Sequence, residues 1–319
     1  MNIRTTVLPL GVATAAALGL VTLAACSSSD DAAGGHHNGK LDVVASFYPM
    51  QYLAERIGGG HVAVTGLTKP GVEPHDLEIS PKQTARLGEA GLVVYLKGVQ
   101  PSVDEAVEQA KPKHVAEATS YTTLEDHGTE VDGHGHDEHE DHGEDAGADP
   151  HVWLDPVRYA EVAKGVGKAL EKADPDHAAD FRKNAAALVK ELGTLDREYR
   201  EGLRDRTSDT FITTHAAFGY LAERYGLEQE AISGIDPESE PSPARIRDLH
   251  ATAKKDKVGT VFFETLASPK TAQTLAGDLK LKTDVLDPIE GITDESRGRD
   301  YLAVMRSNLK ALRTALGAG

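Results

Sequence analysis

One cysteine, Cys26, is present in 319 residues, which excludes an intrachain disulfide and any cysteine-rich zinc module. Aromatic residues are scarce too, at 5% with a single tryptophan, so the chain is globular without being rich in bulky anchors. Positive charge is in deficit, with 34 Lys and Arg against 51 Asp and Glu and a formal charge of -17. So acidic a chain is a poor partner for nucleic acid, whose affinity rests on basic side chains neutralising phosphates. It also lacks the phosphate-binding pattern G-x-x-x-x-G-K-[ST], so it is no P-loop motor. What it has in plenty is histidine, fourteen in all. Its length suggests two domains of ordinary size.

Arg4 precedes an apolar run from Val7 to Ala25, which ends in Leu23-Ala24-Ala25-Cys26 and then Ser27-Ser28-Ser29-Asp30. The run is near the lower limit for a membrane span, and no basic stop-transfer cluster follows it. A lone transmembrane anchor is the plain alternative. The sharper expectation is a lipoprotein signal over residues 1–25, because Leu-Ala-Ala-Cys matches the lipobox and puts the only cysteine at the cleavage point. Cys26 would then carry lipid on the outer face of a bacterial membrane, and residues 26–40 read as a flexible tether.

From Leu41 onward, strand-like and helix-like segments alternate, which predicts an α/β fold with mainly parallel sheets flanked by helices. Strands are expected at 41–48, 61–68, 92–96 and 114–118, and again at 211–214, 231–235, 259–265 and 284–286. Helices are expected at 49–57, 80–90, 102–110, 216–225, 244–255, 269–279 and 297–316. Two lobes follow, at 41–173 and 205–319. Between them, Asp174 can cap and Pro175 can open a helix over 174–204. Phe181, Leu188, Leu192, Leu195, Tyr199 and Leu203 make one apolar stripe along it. A stiff helical connector of this kind permits less lobe movement than a loop hinge.

The first lobe is interrupted by low-complexity sequence over 122–149. Its segment from Glu125 to Asp149 holds His127, His134, His136, His139 and His142 among eleven carboxylates, with no Lys or Arg between His114 and His151. Such a composition predicts disorder, and the bland reading is a solvated acidic loop. Five imidazoles argue instead for auxiliary, weak binding of a borderline metal such as zinc. His139-Glu140-Asp141-His142 is one residue short of the zincin H-E-x-x-H, and His134 to His139 has Glu138 where a hydrolase pattern needs Asp, so neither is read as an enzyme motif.

Elsewhere a few polar residues follow strands, where ligands bind in open α/β sheets. His75 follows strand 61–68, His215 follows 211–214 and Asp287 follows 284–286, while His151 stands beside Trp153. Each alone is more often structural. Together they supply two ligands from each half, and three neutral imidazoles with one carboxylate suit tetrahedral Zn²⁺ in a cleft between lobes.

Over residues 41–318 the chain resembles the metal-specific solute-binding lipoproteins of ABC importers, in particular the zinc branch. The matching stretches are GVEPHDLEISPKQ, DPHVWLDP, FITTHAAFGYLAERYGL, SGIDPESEPSP, FFETLASPKTAQTLA and VLDPIEG, in that order. The resemblance implies two lobes joined by a backbone helix, with one metal held by His75, His151, His215 and an acidic residue matching Asp287. Glu73 or water competes for the fourth place. Manganese and iron binders of this family typically have Glu where this chain has His215. The implied role is extracytoplasmic capture of Zn²⁺ by a lipid-anchored monomer, which delivers it to a membrane permease served by a separate ATPase. No enzyme activity is expected. The alternatives are a manganese or iron binder of the same family, a zinc hydrolase, and a metal-dependent surface adhesion protein.

Overall fold

The structure, a computed structural model, describes residues 35–127 and 148–319. The expected signal, Cys26, and the loop histidines His134, His136, His139 and His142 lie outside the described residues. The end of the expected tether does not stay free: β1 (His36–His37) turns back antiparallel on β2 (Lys40–Ala45), with His36 opposite Leu41.

The first sheet grows around β2, whose Leu41, Val43, Val44 and Ala45 are buried. It pairs in parallel with β3 (Val62–Gly66) and with β4 (Leu92–Tyr95), and β4 pairs with β5 (Val115–Glu117). The crossover helices are α1 (Tyr48–Gly58), α2 (Pro81–Glu89) and α3 (Pro101–Ala110), each with proline in its first turn, where a missing N–H costs nothing. Ser80 and Gln83 close a reciprocal cap at the start of α2.

Next come α4 (Pro156–Ala173) and α5 (Ala178–Gly202), packed side by side. The sequence pointed to α5 but not to α4. The 3-10 turn Pro175–His177 precedes α5, so the helix begins three residues after its proline, and the Asp174 carboxylate meets His177 Nδ1 at 2.7 Å. Its 25 residues span about 38 Å. The apolar stripe is buried along its whole length.

The second sheet has the order β7-β6-β8-β9 and is wholly parallel, from β6 (Thr210–Thr213), β7 (Glu228–Ala231), β8 (Thr260–Phe263) and β9 (Lys282–Val285). Its helices are α6 (Gly219–Tyr225), α7 (Pro243–Lys255), α8 (Lys270–Leu279) and α9 (Tyr301–Leu316). β7 corrects the expectation of a strand at 231–235. It is an edge strand carrying Glu228, Gln229 and Glu230, so it shows no apolar run, and the apolar residues that suggested a strand begin where β7 ends.

One buried cluster runs through both lobes and α5, joining Phe47, Trp153, Leu192, Tyr199, Phe211 and Tyr301. Polar ties reinforce it. The Tyr199 hydroxyl donates to Met305 O at 2.6 Å, and Arg224 of α6 meets Asp155 at 3.1 Å and Asp196 at 2.8 Å. Through Arg224 the second lobe is fastened to both the start of α4 and the middle of α5.

Candidate metal centre

Four loops deliver the candidate ligands to the cleft between the sheets. His75 comes from the irregular segment between β3 and α2, and His151 from the turn just before Val152–Leu154. His215 sits two residues beyond β6. The carboxylate that joins the three histidines is Glu290, not the expected Asp287: one ligand atom from each of His75, His151, His215 and Glu290 falls within 4.8 Å of the others.

The geometry converges on a single oxygen. Glu290 Oε1 lies 3.3 Å from His75 Nε2, 3.3 Å from His151 Nε2 and 3.4 Å from His215 Nε2. Tetrahedral ligands at the bond lengths of zinc stand about 3.3 Å apart, so the nitrogen-to-oxygen spacings already match. His151 and His215 are buried, and their Nε2 atoms have no hydrogen-bond partner; neither has Glu290 Oε2. Orphaned buried polar atoms are costly and need a reason. These atoms are the donor set that a divalent cation would satisfy.

The other ring nitrogens are held from behind. The Asp149 Oδ1 is 2.7 Å from His151 Nδ1 and also accepts the His151 backbone N–H at 2.9 Å. Glu264 Oε1 is 2.9 Å from His215 Nδ1. A carboxylate behind a ligating imidazole fixes its tautomer, presents Nε2 to the metal and raises its basicity. Trp153 packs against the His151 ring at 5.1 Å and anchors its own indole N–H on Pro288 O at 2.7 Å.

Asp287 has a different task. Its Oδ1 accepts the Ile289 N–H at 2.8 Å, and Oδ2 accepts from the Thr265 hydroxyl at 3.1 Å. Its backbone is clamped at both ends by the Asn308 amide. Burial pushes its carboxyl up to about 6. Ile289, fully buried, is held at φ 63°, a left-handed conformation that is rare for a β-branched residue. The turn secured by Asp287 thus swings the chain through Ile289 and brings the Glu290 side chain into the cleft. Glu73, the other competitor, also stays out of the converging set. Its Oε1 accepts the His75 N–H at 3.1 Å, and burial together with Glu290 pushes its carboxyl up to about 9.

Without metal the group is an ion cluster. Burial works against protonation of His215, but Glu264 and Glu290 outweigh it and hold its pKa well above the ordinary imidazole value. Burial similarly opposes charge on His151, and Asp149 and Glu290 override it, raising its pKa. Burial would neutralise Glu290, yet the surrounding histidines hold it well below the usual carboxylate range. A cavity of about 240 Å³ is lined by Tyr48, Gln51, Thr68, Lys69 and Ile292 together with Glu290.

Among the loop histidines, the described His127 stands apart from this group. It packs edge-on against Tyr220, with ring centroids 4.3 Å apart. No helix among the described residues is long and apolar enough to cross a membrane.

A model of the family described as zinc-uptake complex component A, periplasmic (ZnuA), matches residues 43–315. The chain belongs to this family. The zinc-binding lipoprotein AdcA of Streptococcus pneumoniae is 39% identical over 305 residues, covering 93% of this chain and 59% of the relative. The high-affinity zinc uptake system protein ZnuA of Bacillus subtilis is 36% identical, covering 92% of this chain and 93% of its own length. The crystal structure of the Zn(II)-bound ZnuA-like domain of Streptococcus pneumoniae AdcA superposes with a TM-score of 0.72 at 37% identity, covering 87% of this chain and 99% of that domain. The chain therefore spans about three-fifths of the streptococcal lipoprotein, and its counterpart there is that domain.

Proposed function

We propose that this protein captures Zn²⁺ outside the cytoplasm and hands it to the membrane permease of an ABC importer. The observation that carries the reading is the buried interlobe site, in which three imidazole nitrogens stand 3.3–3.4 Å from one carboxylate oxygen. Three nitrogens and one oxygen suit zinc; manganese prefers oxygen-rich, octahedral surroundings. Four protein ligands also leave no open position for a reacting water, which favours carriage over hydrolysis. Kinship with the zinc-uptake family and with a zinc-loaded domain of the same fold supports this. The protein acts as a monomer, is not an enzyme, and is tethered by lipid on Cys26 to the outer face of the membrane.

Calorimetry with the purified protein, together with uptake of radioactive zinc by cells lacking it, tests the proposal. One tight zinc per chain, outcompeting manganese, with uptake restored by the intact gene, is the expected result. Tight zinc binding without restored uptake would refute the transport role, and preference for manganese would refute the metal assignment.

A further inference from the structure

We propose that Glu125, His127 and Glu223 form a second zinc site, separate from the cleft and bridging the two lobes at the foot of the acidic loop. One ligand atom from each of the three falls within 4.8 Å of the others. The arrangement is braced. Asp149 N–H donates to Glu125 O at 2.8 Å, which pins the two ends of the loop together. The Tyr220 hydroxyl takes the Glu125 N–H at 2.8 Å and donates to Asp149 O at 2.7 Å, so this closure is planted on α6 of the second lobe. Glu223 is three residues farther along α6, hence on the same face as Tyr220.

The His127 ring fits between the lobes, with Nδ1 2.9 Å from Asp149 Oδ2 and Nε2 3.1 Å from Glu223 Oε2. The second spacing is close to the distance of about 3.3 Å between neighbouring ligands on tetrahedral zinc. Asp149 supports His127 as it supports His151, one oxygen to each ring. Charge points the same way. Glu125, Glu223 and Asp149 face a single compensating guanidinium, that of Arg158, which pairs with Glu125 and lies 5.0 Å over the Tyr220 ring. The carboxylates thus outnumber the guanidinium beside them, and a cation held among them would offset the excess. One imidazole, two carboxylates and a water complete a four-coordinate zinc. Because Glu223 is 57% exposed, this site is wetter than the cleft and binds more weakly.

The test uses the full-length protein carrying His134→Gln, His136→Gln, His139→Gln and His142→Gln, which removes the remaining loop imidazoles. Titration with zinc alone, read by calorimetry and native mass spectrometry, should find two ions per chain. Glu223→Gln and, separately, His127→Gln should weaken the second ion at least tenfold and leave the first unchanged. Circular dichroism of each variant verifies the fold. A single ion in the parent, or a second ion indifferent to both substitutions, would overturn the site. Neither outcome bears on the cleft, which the tight ion reports.

Discussion

His151 and His215 have side chains no more than 1% exposed, with one ring nitrogen held by its own carboxylate and the other, without a hydrogen bond, turned to the shared Glu290, whereas His127, 14% exposed, has a hydrogen-bonding carboxylate on each nitrogen. The same side chain thus serves two kinds of place. In the cleft, each Nε2 faces only the shared Glu290 Oε1, at 3.3–3.4 Å, so a cation there meets four converging donors in a buried surrounding. At the loop foot, an arriving ion must displace an existing contact and compete with water. The number of histidines says little about where metal binds tightly; the number of converging nitrogens says much more.

The sharpest way to break this contrast is to remove a cleft ligand. Structural zinc sites bind with about 10–16 kcal/mol, so one of four ligands accounts for about 3–4 kcal/mol, or a loss of roughly a hundred- to a thousandfold. His151→Ala, His215→Ala and Glu290→Gln should each weaken tight zinc by that order in calorimetry. Asp287→Asn should instead act mainly through the turn, lowering the melting temperature. A larger loss of affinity from Asp287→Asn than from Glu290→Gln would reverse the assignment of the fourth ligand.

A smaller effect is expected one step out from the metal. Asp149→Asn and Glu264→Gln preserve shape while removing the charge behind His151 and His215, and should cost about 10- to 100-fold in affinity. Asp149→Asn should also loosen the weaker ion, because its other oxygen holds His127. Equal effects of Asp149→Asn and Glu264→Gln on the weaker ion would remove that link.

The least effect, and the one that separates loaded from empty protein, is in pH. The raised pKa values of His151 and His215 mean that their charged forms stabilise the metal-free fold fully below about 6.5, and that this contribution is lost as pH rises through the raised values. The lowered pKa of Glu290 adds stability above about 4.5, lost only as pH falls through its depressed value. Zinc displaces the protons on the ligands, so its affinity rises with pH. Melting curves between pH 6 and 8.5 should therefore show a widening gap between zinc-loaded and metal-free protein. A constant gap would mean that no proton leaves on binding.

Much of this was legible in the sequence. His75, His151 and His215 are recognisable because each sits in a short motif, and one of them, His215, comes directly after an apolar strand. The converging carboxylate is Glu290 rather than the expected Asp287, although the two share the stretch Asp287-Pro288-Ile289-Glu290. Nearness to a strand end favoured Asp287. What decides the matter is the left-handed backbone of Ile289, which nothing about an isoleucine announces. Asp149 and Glu264 passed unnoticed as supports because their contacts run through side chains rather than along a periodic pattern. In the sequence His127 is only one of five loop histidines, since its partner Glu223 lies 96 residues away. The helix α4 was hidden behind the more regular stripe of α5.

The shared core has a bearing on how long a captured ion stays. With Phe47, Leu192 and Tyr301 in one cluster, wide separation of the lobes would have to expose that core, which opposes it. Release then proceeds ligand by ligand, and the order is set by how firmly each is held. His151 and His215 are gripped through their second nitrogens, and Glu290 stands on the Asp287 turn. His75 rests on irregular chain and keeps 9% of its side chain open to water, the most of the four. Its departure is the expected first step of unloading, so changes in that one loop should alter the residence time of the ion more than changes around the other three ligands.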